Sequence, residues 1–280
     1  MTDELGDTDA VVIAVEAAGV HTASAVGQVL QTGTRAAALY ERRVLVGPID
    51  PCGECEVCRR GGAAVCPQAV RRTEVGMLVT AAGRWVTPLG DGLELASPGA
   101  GAVAGDVALA YTLYARTGLG PRDPVVVVGA SPVARFLVEI LIAKSITPVV
   151  VADPAHVAWC EWLAPRATVA ANLDGVAAAI ASQGTGAKPR RIIAAAPGAA
   201  EVAAALAGPR STLTVLAPVT GLPGALAANE VTVIGVAGAH PDLVVEAAAM
   251  CVKREIDLDA GTTTDPDAAS AAMRSLIRTF

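Results

Sequence analysis

The rhythm of apolar and polar positions changes near residue 121. Before it, short β-branched runs are broken by glycines and polar turns; after it, solid apolar runs alternate with alanine-rich segments. In the first half, Ala10-Val-Val-Ile-Ala-Val-Glu16 and Ala25-Val-Gly-Gln-Val-Leu30 read as strands, closed by Ala17-Ala-Gly19 and by the turn Gln31-Thr-Gly33. Residues 1–9 are polar and predict a frayed end. Arg43-Val-Leu-Val-Gly-Pro48 supplies a third strand. Val75–Thr80 and Arg84–Thr87 flank Ala81-Ala-Gly83, a hairpin pattern, with Trp85 read as core or lobe packing. Leu93–Pro98 then leads to a connecting helix over Val107–Thr117, with Asp106 placed as its N-cap.

In the second half, Asp123-Pro-Val-Val-Val-Val-Gly129 has no polar alternation, as expected of a parallel strand buried on both faces. The helix Ala134–Ala143 follows, and then the strand Thr147-Pro-Val-Val-Val-Ala152, ending at Asp153. Further strands are predicted over 167–170, 191–196, 211–217 and 231–235, with helices near 174–183, 199–207, 241–253 and 266–278. This alternation predicts an α/β fold, with a doubly wound parallel Rossmann sheet after a smaller β-rich region.

Composition narrows the picture. The chain is 53% hydrophobic and 3% aromatic, so its core is built from Ala, Val, Leu and Ile. A net charge of −6, with arginine pairs scattered along the chain, gives nucleic acid no footing. The acidic start, Met-Thr-Asp-Glu-Leu-Gly-Asp-Thr-Asp, is the opposite of a basic signal-peptide n-region, and the apolar runs are too short and too interrupted by Gly and Pro to span a bilayer. Cys160 and Cys251 stand far apart in apolar contexts and read as buried free thiols. A cytoplasmic, membrane-free protein is expected.

Two stretches carry chemistry. The first is Gly129-Ala-Ser131-Pro-Val-Ala134 between a valine strand and a helix, with Asp153 placed 24 residues after Gly129. A strand, glycine turn, helix, strand and acid in this order form a dinucleotide-binding unit. Gly129 permits the tight turn, Ala134 lets the helix approach the strand, and amides at the helix start face a pyrophosphate. Asp153 is placed to bond a ribose diol and to repel a 2′-phosphate, which favours NAD over NADP. Ser131 stands at the usual middle glycine; its hydroxyl either donates to a phosphate or obstructs it. The strand ends at Ala196-Pro-Gly198, Ala217-Pro218 and Gly235-Val236 are expected to crowd the cofactor side.

The second stretch holds Cys52, Cys55, Cys58 and Cys66 in C-x2-C-x2-C-x7-C spacing, within a lobe over residues 51–67. Four closely spaced thiolates suit a closed tetrahedral structural zinc site. Two disulfides are the alternative, although three cysteines within seven residues give few unstrained pairings.

This lobe, preceded by the Arg43–Pro48 strand, resembles the structural-zinc lobe of the zinc-type medium-chain alcohol dehydrogenases. The resemblance extends from about Val11 to Phe280. It implies a shortened, GroES-like catalytic domain over 1–105 and a dinucleotide-binding Rossmann domain over 106–280, with structural zinc and NAD as cofactors. The implied reaction is hydride transfer between the nicotinamide and a small alcohol or carbonyl substrate. It also implies a homodimer or homotetramer, with Val231–Gly235 as a candidate pairing strand.

The chain departs from the family at Val15-Glu-Ala-Ala-Gly-Val20-His21-Thr22. That stretch resembles the family strand before the catalytic-zinc cysteine, joined to a segment in which a Gly-His-Glu precedes a strand; alternatively, His21-Thr22 is the remnant of the residues after that cysteine. Either way the cysteine is missing, and in the first alignment Thr22 stands where the family has glutamate. His21 is either a surviving ligand or proton-relay group, or a partly buried histidine at a strand junction. His21, Thr22 and Tyr111 are the candidate acids if no catalytic zinc is held. Residues 100–111 offer only Asp106 as a further ligand, and the family's returning C-terminal strand is expected to be missing after 266–278. A non-catalytic family member with a regulatory or scaffolding role is the rival reading. A zinc-ribbon nucleic-acid binder is disfavoured by the acidic charge.

Overall fold

The computed structural model describes residues 5–90, 92–96, 98–120, 123–182, 188–216 and 224–280. The chain divides into two compact units. The first holds Met1–Leu109, Ala239–Pro266 and Ser275–Phe280; the second holds Ala110–Gly238 and Asp267–Arg274. The division expected at 105/106 placed 239–266 and 275–280 with the nucleotide domain, whereas these segments pack in the first unit.

The first unit begins with β1 (Ala10–Gly19), β2 (Ser24–Thr32) and β3 (Arg43–Val46), followed by the short pair β4 (Ile49–Asp50) and β5 (Val70–Arg71). After these come β6 (Leu78–Ala82) and β7 (Val86–Pro88). β1 alternates buried and half-exposed residues, and its Val11, Ile13 and Val15 pack with Val29, Val44 and Val86 into an aliphatic core. The expected hairpin over 75–87 does not form. β6 pairs with β1 and β7 with β3, because a 3₁₀ turn at Gly83–Trp85 sends the two strands to different partners.

The second unit is a six-stranded parallel sheet of β8 (Val125–Val128), β9 (Val149–Val151), β10 (Thr168–Ala170), β11 (Arg191–Ala194), β12 (Thr212–Leu216) and β13 (Thr232–Val236). Its order is β10-β9-β8-β11-β12-β13. Counted from β8 this is the doubly wound order 3-2-1-4-5-6, whose ligand crevice lies at the carboxyl ends of the central strands where the winding reverses. All four valines of β8 are buried, as the unbroken apolar run required. Ala217 and Pro218, expected to crowd the cofactor side, lie outside the described residues. Among the described residues no helix is long and apolar enough to cross a membrane.

The chain then adds β14 (Thr262–Thr263) and β15 (Ser275–Thr279) to the first unit. β15 runs antiparallel to β1, with Ala17 opposite Thr279, in the sheet order β14-β15-β1-β2-β3-β7. The expected final helix therefore stops at Ala272, and the returning strand is present rather than missing. Ser-Leu-Ile-Arg-Thr alternates as a strand does, and a free place beside β1 accepts it.

Candidate functional site

The cysteine lobe is built from tight backbone turns. Cys55 caps the one-turn helix Glu56–Arg59 by accepting from the Cys58 amide. The sulfurs of Cys52, Cys55, Cys58 and Cys66 lie within 4.8 Å of one another. All four are free thiols, with separations of 3.9 Å (Cys52–Cys58), 3.9 Å (Cys55–Cys66) and 3.6 Å (Cys52–Cys66). A tetrahedron with metal–sulfur bonds of about 2.3 Å has edges of about 3.8 Å, which these three separations match, so the cluster suits a zinc ion. Amides of Cys52, Cys55 and Cys58 point at the sulfurs of Cys66, Cys52 and Cys55, at 3.4–3.5 Å. The amides of Glu54 and Cys55 lower the Cys52 thiol to about 6, whereas burial raises that of Cys58 to about 12. A cation is what lets all four ionise together.

The lobe is tied to the rest of its unit. Arg72 and Asp50 form a nearly buried ion pair, and Asp50 Oδ2 also accepts the Ala82 amide at 3.0 Å. Trp85 Nε1 donates to Pro51 O at 2.6 Å, Arg84 donates to Cys52 O at 3.1 Å, and the buried His240 donates from Nε2 to Gly61 O at 2.8 Å. The sequence reading gave His240 no role; only the fold brings it to the lobe.

His21 and Thr22 lie in the turn between β1 and β2, His21 exposed. Thr22 Oγ1 is 3.2 Å from Ser24 Oγ, and Ser24 donates its own hydrogen to Gly101 O at 2.7 Å. Thr22 is therefore the donor to Ser24 and presents only lone pairs elsewhere. Gly105 seats this pair: a Cβ there would collide with Thr22 Oγ1 and Ser24 Oγ. Gly105 and Asp106 belong to a π-helical turn, Val103–Val107, ahead of the helix Ala108–Thr117. Asp106 is thus not an N-cap. Its side chain is buried and accepts from the Ser275 hydroxyl, and burial pushes its carboxyl up against the smaller opposing pulls of Ser275 and the His21 charge.

The structure thus gathers His21, Thr22, Ser24, Asp106 and Ser275 within one unit. Ser24 and Ser275 were missed; a polar residue opening a strand was the only available signal. Tyr111 belongs to the second unit, with its ring 5.7 Å from that of Tyr114. His21 and Asp106 supply two candidate ligands, one short of the three protein ligands of a catalytic zinc. Among the described residues the four cysteines are the only group of three or more His, Cys, Asp or Glu placed to share an ion.

In the second unit, Gly129 follows β8 with φ +106°, and a Cβ there would lie 2.6 Å from that of Ala196. Ser131 caps the helix Pro132–Ala143. Its Oγ accepts the Ala134 amide at 3.0 Å and donates to Ala195 O at 2.6 Å. Asp153 is exposed in the turn after β9, with Oδ1 accepting the Ala155 amide at 2.9 Å.

No family model matches the sequence, and no curated protein matches it. The structure, however, matches that of a short chain alcohol dehydrogenase from E. coli CFT073 complexed with NADH. The TM-score is 0.81 at 17% identity, over 98% of this chain and 93% of that one. The alcohol dehydrogenase TADH from Thermus sp. ATN1 matches at TM-score 0.82 and 14% identity, over 100% of this chain and 94% of the other. This chain has the zinc-type alcohol dehydrogenase fold. D-arabinose dehydrogenase from Sulfolobus solfataricus shares it at TM-score 0.73 and 16% identity, covering 91% of this chain and 92% of that one.

Within the alcohol dehydrogenase fold, the residues here fit a dinucleotide in part. The Gly129 turn and the open Asp153 carboxylate oxygen suit it. The helix start is partly occupied, since Pro132 has no N–H and Ala134's is taken by Ser131. That leaves the Val133 N–H as the uncommitted first-turn donor among the described residues.

Proposed function

We propose that this chain is an NAD-dependent oxidoreductase of the zinc-type alcohol dehydrogenase family, acting on a small alcohol or carbonyl compound. The observation that carries the reading is the 3-2-1-4-5-6 sheet with its glycine turn after β8 and an open carboxylate after β9. Cys52, Cys55, Cys58 and Cys66 hold a structural zinc. Gly129, Ser131, Ala134 and Asp153 line the dinucleotide end, with Asp153 selecting NAD over NADP.

Bound nicotinamide supplies the hydride acceptor or donor. As an alcohol carbon gives up its hydride, its hydroxyl proton must leave; in the reverse direction the carbonyl oxygen must gain one. His21 is the exposed group of the polar turn able to take or return that proton, with Asp106 close enough for their charges to interact. Thr22, its hydrogen committed to Ser24, accepts a hydrogen bond from a substrate hydroxyl. Pairing through the exposed edge strand β13 gives a homodimer or homotetramer, and four thiols kept for a metal suit a reducing cytoplasm.

Turnover of an alcohol and aldehyde panel with NAD(H), followed by nicotinamide absorbance, tests the assignment. Activity lowered about 10²-fold or more in His21→Gln supports it. A non-catalytic role is the second reading, favoured by the occupied helix start and the incomplete ligand set; absence of turnover in a protein that binds NADH would establish it.

A further inference from the structure

We propose that Ser131 acts as a built-in competitor at the dinucleotide site, taking with its own side chain the Ala134 amide, one of the two helix-start amides that a pyrophosphate would otherwise use. The inference rests on the NAD reading above and concerns how strongly this chain takes that cofactor.

An N-cap side chain and a bound anion use the same resource, the unpaired amides of a helix's first turn. In the helix Pro132–Ala143 that resource is small. Pro132 brings no N–H, so Val133 and Ala134 supply the inner donors. Ser131 Oγ takes the Ala134 amide at 3.0 Å. It is also held from the other side, because its hydrogen goes to Ala195 O at 2.6 Å. A hydroxyl with one hydrogen cannot give that hydrogen to a phosphate as well. To swing aside it must break both bonds, leaving Ala195 O without this donor. The two possibilities left open by the sequence are therefore decided: Ser131 obstructs rather than donates.

The tie is reinforced by Gly129, which packs close to the same loop at Ala196 and Ala199. The backbone of Ser131 is extended, at φ −165°, so no strain drives the side chain out. Glycine in its place is nearly as good an N-cap, which keeps the helix while freeing the amide and removing the side chain.

The test is a titration of the full-length, zinc-loaded protein with NADH and, separately, with adenosine, which has no phosphate. Wild type, Ser131→Gly and Ser131→Ala are compared, with thermal melts to check folding. Ser131→Gly should bind NADH about tenfold more tightly or better, the worth of one freed charge-assisted hydrogen bond. Ser131→Ala, which frees the amide but keeps a Cβ, should fall between. Adenosine affinity should be the same in all three. Equal or weaker NADH binding by a folded Ser131→Gly overturns the proposal while leaving the NAD reading standing. A parallel gain for adenosine also overturns it, since the residue would then act through the fold. No NADH binding by any of the three proteins overturns both the proposal and the NAD reading.

Discussion

Ser275, the first residue of β15, donates its hydroxyl to the carboxylate of Asp106, and both side chains are buried. Bridging 169 positions of sequence, the bond ties the π-helical turn to the last strand of the same unit. Burial dominates the Asp106 titration and raises its pKa. The folded protein therefore holds the proton more firmly than the unfolded chain does. The stability Asp106 contributes is complete below the ordinary carboxylate pKa of about 3.9 and is lost as pH rises through the raised value. Asp106→Asn, which can still accept from Ser275, should remove that dependence. Urea midpoints from pH 4 to pH 8 check it: the variant should gain on wild type as pH rises. A constant difference would show that the carboxylate does not titrate in this window.

Zinc should be held at one ion per chain and lost in Cys66→Ser, with the melting midpoint falling by several degrees. Metal competes with protons for the thiolates, so affinity must weaken as pH falls. With Cys52 at about 6 and Cys58 at about 12 before metal arrives, binding releases protons at neutral pH. Metal analysis after dialysis at pH 7.5 and at about pH 5 should show retention in the first case and loss in the second.

Asp50 anchors the root of the lobe through Arg72 and the Ala82 amide. Its exposure is 10% and that of Arg72 6%, so removing one charge leaves the other buried and unpaired. Asp50→Ala should cost about 3–5 kcal/mol in denaturant unfolding. A cost below about 1 kcal/mol would place the pair among solvent-screened surface contacts.

Gly129→Ala forces a side chain into φ +106° and against Ala196. The strain alone is worth about 1–3 kcal/mol. NADH binding should be lost along with this stability, and a fluorescence titration beside a melting curve separates the two effects.

Much of this architecture could be read from the sequence where one residue type had one physical use. The buried valines of β8, the glycine after them and the four clustered cysteines each point to a single local structure. The errors arose where partners are remote. Val75–Thr87 contains two strands, but which strands they join depends on β1 and β3 rather than on their own turn. Ser275–Thr279 is too short for its alternation to outweigh the alanine-rich helix before it, and only the open place beside β1 decides it. Asp106 reads as a cap because it precedes a helix; its burial under Ser275 is a property of the packed unit. Ser131 was visible as a departure, yet its effect turned on Ala195, 64 residues later.

The most direct test of the account is an NADH titration of the zinc-loaded protein, followed by nicotinamide fluorescence and repeated with Asp153→Ala. The account predicts saturable binding in the wild type, weakened about tenfold or more in the variant by loss of the charged acceptor for the ribose hydroxyls. Absence of saturable binding in the wild type, or equal binding by the two proteins, would contradict it.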